Sequence, residues 1–285
     1  MRTHVNSTGL LLVGDPALSF HYPGHIARAS LDALPAQPGI YIFRDEEDKP
    51  LYVGKSVNIR SRVLSHLRTP AETQMLTRAR TVDFECTGGE IGALLREAQL
   101  IKQWQPVFNH QLRSLRAMCA LRLEAGLPLV VSTRDCDFAR SDGLYGLFGS
   151  RASALATLRE LVDDHGLCAA IVGLERVSRG RACFAHQIGR CRGVCIGRES
   201  AADHAARLQA ALEPLRVLRW PYAGAIAIVE QSHGLCQRHL VDHWHYLGPQ
   251  ARGRRARPQQ GRFDIDVYQI LAGPLLDGSL TVEPL

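Results

Sequence analysis

Two short runs of β-branched and aromatic residues, separated by a charged turn, constrain the fold of this chain more than any other feature. Residues 39–43 and 51–53 flank a turn at residues 45–50, and this arrangement predicts a β-hairpin. A helix is predicted over residues 57–67, with Ser56 as its cap, because apolar residues recur there at helical spacing. The start of this segment is therefore expected to be a hairpin followed by a helix.

A third strand and a longer helix are predicted next. The strand is expected at Thr81–Cys86 and the helix at Glu90–Trp104, where Pro106 enforces the stop. Glu97 lies at the edge of the apolar face of this helix. A lone carboxylate there costs desolvation energy unless a cation or a metal ion compensates its charge. Glu97 is therefore a candidate metal ligand.

Polar side chains accompany these elements in a fixed order. Two tripeptides, Gly39-Ile40-Tyr41 and Tyr52-Val53-Gly54, contribute the phenols of Tyr41 and Tyr52. They are followed in order by Lys55, Arg62, His66, Glu97 and Asn109. Taken singly, each of these side chains is more often part of a core or of a solvated surface. As an ordered set they favour a metal-dependent nuclease site, in which cations and a divalent ion stabilise charge on a reacting phosphate.

The excess of basic residues is confined to two stretches. The chain has Lys+Arg 34 and Asp+Glu 28, a formal net charge of +6. Residues 165–198 and 250–262 supply this excess, so the remaining body is near-neutral. Such local patches indicate a polyanionic partner, although a merely solvated surface is the alternative. The candidate DNA-binding residues are Arg176, Arg179, Arg181, Arg190, Arg192, Arg252, Arg254 and Arg255.

Composition places the chain among ordinary globular proteins. Hydrophobic residues make up 46% and charged residues 22% of 285 residues. The apolar run at residues 10–13 is too short for a signal sequence, and no stretch reaches the roughly eighteen apolar residues of a membrane span. We expect a cytoplasmic protein without membrane association, whose cysteines are buried thiols or metal ligands rather than disulfides.

Four cysteines lie within a short, arginine-rich stretch. Cys168, Cys183, Cys191 and Cys195 suit a [4Fe–4S] cluster or a tetrahedral Zn²⁺ site. The absence of a Cys-x-x-Cys knuckle in this stretch favours iron–sulfur over zinc. Cys168 is the least secure ligand, and His165 or His186 is an alternative to it. Buried free thiols are the remaining interpretation.

The chain divides into three parts of an α+β protein. Residues 1–34 are expected to form an irregular extension, residues 35–111 a small domain with a three-stranded antiparallel sheet flanked by helices, and residues 112–285 a mixed α/β region containing the cysteine-rich segment 168–195. Within the third part, strands are predicted at 118–124, 128–133, 144–148, 225–229, 239–246 and 264–271, and helices at 153–162 and 201–218 with a break at Pro214.

The segment from residue 39 to residue 109 resembles the GIY-YIG nuclease family. The resemblance rests on both tripeptides, the ten residues between them, and the ordered polar residues that follow. Within that family the chain is similar to the UvrC-like excision-repair endonucleases, and most closely to their single-nuclease branch. The run Gln-Ile-Gly-Arg-Cys ending at Cys191 is similar to a cysteine-rich segment of that group.

This resemblance implies roles for individual residues. Tyr52 would activate the attacking water, and Glu97 would hold Mg²⁺ or Mn²⁺ beside the scissile phosphate. Lys55 and Arg62 would neutralise developing charge, while Tyr41 and Asn109 would orient water and phosphate. His66 stands where UvrC relatives often have tyrosine, so both proton donation and hydrogen bonding remain open for it.

The resemblance also implies a substrate and partners. The expected reaction is hydrolysis of one phosphodiester on the 3′ side of a lesion in damaged double-stranded DNA, after UvrA has loaded UvrB. No counterpart of the short UvrC motif that pairs with UvrB is visible, so the docking surface is expected within residues 110–285. Two alternatives remain: a mobile-element or restriction enzyme of the same catalytic fold, and an accessory DNA-binding protein that no longer cuts.

Overall fold

The structure is a computed structural model that describes residues 23–110, 117–178, 180–250 and 262–285. Most of the predicted N-terminal extension lies outside the described residues. Arg179, Arg252, Arg254 and Arg255 also lie outside them.

The first part of the chain is a small antiparallel sheet with helices on its faces. The strand order is β2-β1-β3, so the hairpin strands are neighbours and β1 is central. This confirms the predicted three-stranded antiparallel sheet. Its elements are α1 (Arg28–Asp32), β1 (Gly39–Arg44), β2 (Pro50–Ser56), α2 (Ile59–Leu67), α3 (Thr73–Arg78), β3 (Thr81–Cys86) and α4 (Glu90–Trp104).

The middle of the chain forms a second three-stranded sheet, in the order β5-β4-β6, covered by two helices. Its core contains Leu121, Leu158 and Leu208, one from each layer. The elements are β4 (Cys119–Glu124), β5 (Leu127–Ser132), β6 (Leu144–Phe148), α5 (Arg151–Asp164), the short α6 (Phe184–Gln187) and α7 (Ala201–Leu212).

The last part forms a four-stranded antiparallel sheet in the order β10-β7-β8-β9. A helix packs on this sheet around the fully buried Trp244. The elements are β7 (Ile226–Ser232), β8 (Leu235–Asp242), β9 (His245–Pro249), α8 (Ile265–Leu276) and β10 (Thr281–Pro284).

Three sequence-based predictions of elements were wrong. The expected strand at residues 264–271 is helix α8, which Asp264 caps by accepting a hydrogen bond from the Asp266 N–H at 3.0 Å. The expected strand at residues 239–246 is two strands, because the chain reverses between β8 and β9 at His243 and Trp244, which both have positive φ. Helix α2 is capped by Asn58 rather than Ser56, which is the last residue of β2.

The residues before the first sheet contribute to its core. Ile26, Leu31 and Leu34 are buried in the same cluster as Phe43 and Val63. The short helix α1 therefore belongs structurally to the sheet, where an irregular extension was expected. The exact domain boundary at residue 35 stays a prediction.

Helix α4 is shared by two cores. Leu100 and Ile101 pack on Ile40 and Val53 of the first sheet. Leu95, on another face of the same helix, is buried in the core of the C-terminal sheet. The helix that carries Glu97 is therefore fixed from both sides by apolar burial, the dominant stabilising contribution in a fold of this kind.

Candidate active site

Two tyrosines and a histidine form the centre of the candidate site. Tyr41 on β1 and Tyr52 on β2 have ring centroids 6.1 Å apart, and the His66 ring from α2 lies 5.4 Å and 5.5 Å from them. His66 is only 4% exposed. The hairpin and the helix after it thus bring together three side chains that the sequence placed in one site.

Tyr41 is held by hydrogen bonds on the inside of this group. Its Oη lies 2.6 Å from Nε2 of His66, and Arg62 donates a hydrogen bond to the same phenol. Burial raises the pKa of Tyr41 well above its ordinary value, and the Arg62 contact only partly offsets that rise. Tyr41 is therefore a neutral phenol in the metal-free protein.

The glycine of the second tripeptide is required by this packing. A Cβ built on Gly54 would lie 2.3 Å from Oη of Tyr41 and 2.8 Å from Cε1 of Tyr52. No side chain fits there, because real carbon contacts are not made at such distances. Gly54 thus lets the Tyr41 phenol lie flat over β2.

Glu97 faces this group from α4. Burial raises the pKa of Glu97 to about 7, although the backbone N–H and the charge of Lys55, and the charge of Arg62, act to lower it. The pKa of Tyr52 is also raised, first by burial and then by the charge of Glu97. The Glu97 carboxyl is thus partly buried, and its cationic neighbours do not fully offset the cost of ionising it, which is the condition expected of an oxygen ligand for a divalent ion.

Lys55 and Asn109 are both near the site, and each is engaged by another group. Nζ of Lys55 lies 2.5 Å from Oε1 of Glu90, at the start of α4. The amide of Asn109 accepts from the Val53 N–H at 2.9 Å and donates to the Val53 carbonyl at 2.8 Å. Asn109 therefore holds the strand that carries Tyr52. Its direct contact with water or phosphate stays a prediction.

A groove of about 510 Å³ opens beside Glu97. One wall is α4, with Ile91 and Leu94, and the other is α8, with Gln269 and Ile270. The C-terminal helix α8 thus borders the groove beside Glu97. The sequence did not predict this contact.

Three of the four clustered cysteines meet. The sulfurs of Cys168, Cys183 and Cys195 all lie within 4.8 Å of one another, with Cys168 and Cys183 at 3.7 Å. Cys191 is buried in the same cluster but lies outside this group of three. Cys168 is thus one of the three cysteines that meet, and which of the four would bind a metal stays a prediction.

Two histidines support the cysteine loops without joining the three sulfurs. Nδ1 of His186 lies 2.8 Å from the Cys191 carbonyl, and Nε2 of His204 accepts from the Cys168 N–H at 3.0 Å. His165 is exposed. Among the described residues, neither His165 nor His186 joins the group of three, so the structure does not favour them as replacement ligands.

Family models match successive parts of the chain. They are the UvrC-like GIY-YIG domain at residues 37–110, the UvrC/Cho excinuclease middle domain at residues 105–214 and the excinuclease Cho C-terminal domain at residues 225–285. Excinuclease cho of Escherichia coli (strain K12) is 48% identical over 276 residues, which cover 95% of this chain and 93% of that protein. The chain belongs to the excinuclease Cho family.

Further relatives and a solved structure are similar to all or part of this Cho-family chain. Excinuclease cho of Salmonella typhi is 48% identical over 95% of this chain and 94% of that protein. UvrABC system protein C of Haloarcula marismortui is 33% identical over 64% of this chain and 32% of that protein. The GIY-YIG N-terminal endonuclease domain of UvrC from Thermotoga maritima, solved with its catalytic magnesium, is 30% identical over 29% of this chain and 93% of that chain, with a TM-score of 0.27.

Membership of the Cho family has two consequences. The chain is an excision-repair-type endonuclease with a GIY-YIG domain, as the resemblance to UvrC-like nucleases implied. The middle and C-terminal matches are also of excinuclease type, which disfavours the mobile-element and restriction alternative. Within the described residues, no helix is long and apolar enough to cross a membrane.

Four arginines of this Cho-family chain lie on the surface of the cysteine-rich segment. Arg176, Arg181, Arg190 and Arg192 are all exposed. Phe184, which is 63% exposed, lies among them on α6. This surface is basic, with an apolar side chain within it, as a surface that contacts a nucleic-acid backbone would be.

Sequence reasoning missed two carboxylates that contact the nuclease elements. Oε1 of Glu72 lies 3.3 Å from Nδ1 of His66. The only sequence signal for this contact is that Glu72 follows His66 by six residues. Glu230 on β7 accepts from the backbone N–H groups of Ile91 and Gly92, at 3.0 and 2.6 Å. No local pattern reveals the second contact, because it joins parts of the chain about 140 residues apart.

Proposed function

We propose that this chain hydrolyses one phosphodiester on the 3′ side of a lesion in damaged duplex DNA, on a complex that UvrB forms after UvrA has loaded it. The supporting observation is the nuclease site itself, where a partly buried carboxylate with a pKa of about 7 lies near two phenols, an arginine and an imidazole. Membership of the excinuclease Cho family supports the choice of substrate and partner.

Glu97 is the proposed ligand of Mg²⁺ or Mn²⁺. The residues present fit such an ion, because Glu97 is a desolvated carboxylate beside an open groove with room for further water ligands. When bound, the ion would supply Lewis-acid stabilisation of the leaving oxygen and a lower pKa for water. The remaining chemistry is assigned to the protein's own side chains.

Tyr52 is the proposed acceptor of a proton from the attacking water. Its phenol is not acidic in the metal-free protein, since burial and Glu97 raise its pKa. The charge of Arg62 acts in the opposite direction and favours the phenolate. Arg62 and Lys55 would also neutralise charge on the phosphate as it develops. Asn109 would support this indirectly by holding Val53, next to Tyr52.

The cysteine group is proposed as a second metal centre. Cys168, Cys183 and Cys195 converge, and Cys191 is a fourth thiol within the same buried cluster. A [4Fe–4S] cluster is the proposed occupant, and Zn²⁺ is the alternative. Protein prepared anaerobically should contain iron and acid-labile sulfide. Preparations with neither iron nor zinc would exclude this centre.

The basic surface around the cysteine loops is proposed to contact the DNA backbone. Arg176, Arg181, Arg190 and Arg192 are exposed there, and Arg179 is adjacent in sequence. Arg252, Arg254 and Arg255 are also proposed to contact the DNA backbone. Contacts of this kind do not depend on sequence, as lesion repair requires.

The deciding experiment is incision of a lesion-bearing duplex with and without UvrA and UvrB. Wild-type protein should cut once, on the 3′ side, only when both are present. Glu97→Gln should not cut, because the neutral amide is a poor ligand for a divalent ion, while an exposed control, Glu160→Gln on α5, should cut normally. Cutting by Glu97→Gln at the wild-type rate would overturn the metal role, and cutting without UvrB would overturn the partner.

A further inference from the structure

His66 lies between two partners, one at each ring nitrogen. Nε2 lies 2.6 Å from Oη of Tyr41, and Nδ1 lies 3.3 Å from Oε1 of Glu72. The imidazole is 4% exposed, whereas the Glu72 side chain is 31% exposed at the rim of the domain. The histidine therefore connects a buried phenol to a carboxylate that reaches solvent.

The backbone holds Glu72 in this position. After α2 ends, the Arg68 N–H bonds to the Ser65 carbonyl, the Thr69 N–H to the His66 carbonyl, and the Glu72 N–H to the Thr69 carbonyl. The chain is thus folded back onto the last turn of α2. Glu72 is also the N-terminal flanking residue of α3, but its side chain makes no capping hydrogen bond there. Its carboxylate is therefore directed to His66 rather than used as a helix cap.

The two partners determine which nitrogen of His66 carries the hydrogen. An ionised carboxylate only accepts hydrogen bonds, so Glu72 favours the tautomer with hydrogen on Nδ1. Nε2 is then an acceptor, and the Tyr41 hydroxyl must donate to it. This leaves the lone pairs of the Tyr41 oxygen free to accept from Arg62, beside the Tyr52 ring, whose centroid is 6.1 Å from that of Tyr41.

The direction of these bonds matters for Tyr52. A neutral phenol can take a proton from water only if it gives up its own at the same time, so the hydrogen of Tyr52 must point toward an acceptor that can pass a proton on. The acceptor available is Tyr41, provided that Tyr41 donates to His66. With the opposite tautomer, Nε2–H would donate to Tyr41, the Tyr41 hydrogen would turn toward Tyr52, and the proton of Tyr52 would have no acceptor.

We propose that Glu72 is a positioning residue of the nuclease site, which fixes the Nδ1–H tautomer of His66 and so orients the hydroxyls of Tyr41 and Tyr52. The inference rests on the proposed function, because it assigns Tyr52 a proton-accepting role. Glu72 touches neither substrate nor metal ligand in this arrangement. Its effect on the orientation of these hydroxyls passes through His66, while its charge also acts directly on Tyr52 and Arg62.

The test combines NMR and kinetics on the full chain. With ¹⁵N-labelled histidine, the His66 signals are assigned by their loss in His66→Gln. Wild type should show a protonated Nδ1 and an unprotonated Nε2. Glu72→Ala should lose this fixed tautomer, whereas Glu72→Gln should keep it, because the amide oxygen still accepts from Nδ1. The exposed Glu46→Gln serves as the control, since its contact with Arg80 is a surface pair.

The incision rate should be high only in variants that keep the Nδ1–H tautomer of His66. Glu72→Ala should lower the single-turnover rate about 10- to 100-fold, as loss of an orienting partner does elsewhere, with unchanged Mn²⁺ affinity and unchanged unfolding midpoint. Glu72→Gln should recover most of the rate. Retention of the wild-type tautomer in Glu72→Ala would overturn the inference, and so would a wild-type rate. If wild-type protein does not cut under these conditions, the proposed function fails, while the NMR result still decides the role of Glu72.

Discussion

At the scale of single residues, burial and metal binding act on Glu97 in opposite directions. Burial favours the neutral acid and raises its pKa to about 7, whereas a divalent ion requires the carboxylate. Because the pKa in the folded protein is above that in the unfolded chain, Glu97 stabilises the metal-free fold only at low pH. That contribution is lost as the pH rises from about 4.5 to about 7.

Metal affinity should therefore depend on pH in a defined way. Below a pH of about 7, Mn²⁺ binding must displace a proton from Glu97, so affinity should rise about tenfold per pH unit. Above that pH it should level off. Calorimetry in buffers of different ionisation enthalpy would measure the released proton. Glu97→Gln should bind weakly with no such dependence, and a wild-type affinity that does not change between pH 5.5 and 8 would contradict the assignment.

Gly54→Ala tests the packing of the two phenols. The added methyl group would meet Tyr41 and Tyr52 at distances that neither ring can avoid without moving. We expect a loss of about 1–3 kcal/mol in the free energy of unfolding, together with a large fall in incision rate. Urea unfolding and single-turnover kinetics measure the two effects. Gly149→Ala is the control, since a Cβ there meets nothing within 4 Å, and equal behaviour of the two variants would show that Gly54 has no packing role.

At the scale of secondary-structure elements, α4 is held at both ends by the C-terminal part of the chain. Glu230 binds the free N–H groups at its start, as a capping side chain does, and also compensates the positive end of the helix dipole. Near its other end, Lys102 contacts Asp264 at 2.5 Å and also Asp266, at the start of α8. A Cβ on Gly92 would lie 2.2 Å from Nε2 of His239, so this glycine permits the close approach of β8.

Removal of the Glu230 side chain should leave α4 frayed at its start. Glu230→Ala leaves two backbone N–H groups without their charged acceptor, so we expect a loss of about 2 kcal/mol in the free energy of unfolding. Hydrogen exchange at residues 91 and 92 should accelerate. Glu160→Ala, an exposed glutamate on α5, should change neither quantity. Unchanged exchange at the start of α4 in Glu230→Ala would show that the contact does not stabilise the helix.

The sequence predicted helices and strands correctly where several local sequence signals indicated the same element. Tyr41 and Tyr52 come together because a hairpin pairs residues in register, with Tyr41 opposite Gly54 and Phe43 opposite Tyr52. Helix α8 was missed because its short apolar stretch suits a strand as well as a helix. The helix is favoured by the Asp264 cap and by burial of Val267 and Leu271 on the Trp244 core. Contacts such as Glu230 with α4 depend on tertiary packing, and no local spacing encodes them.

At the scale of the whole molecule, the sharing of α4 predicts that the nuclease sheet and the C-terminal sheet unfold as one cooperative unit. Leu271→Ala on α8, a fully buried side chain, should cost about 2–5 kcal/mol. The loss should appear equally in the exchange of amides in α4, although the two positions are far apart in sequence. Leu276→Ala, 69% exposed on the same helix, is the control. Unchanged protection of α4 in Leu271→Ala would mean that the two sheets unfold independently.

The basic surface predicts how DNA binding should respond to salt. Removing one arginine that pairs with a phosphate reduces the slope of log affinity against log salt by roughly 0.9. Replacing Arg190 and Arg192 by glutamine should therefore flatten that slope by about 1.8 if both side chains pair with phosphates. Binding to an undamaged duplex, titrated at several salt concentrations, measures it. Arg159→Gln on α5 should leave the slope unchanged, and an unchanged slope in the double variant would remove this surface from the interface.

The side chain of Asn109 has a consequence for the outer edge of the first sheet. Strand β2 has β1 on one side, and an unpaired strand edge invites association with strands of other molecules. Main-chain groups on the other side of β2 are hydrogen-bonded within the chain. The Asn109 amide pairs with both main-chain groups of Val53, and the Phe108 N–H bonds to the Leu51 carbonyl at 2.9 Å. Residues 108 and 109 thus occupy hydrogen-bonding groups on this part of the β2 edge. Those groups are then not available to a strand of another molecule, at the strand from which Tyr52 projects.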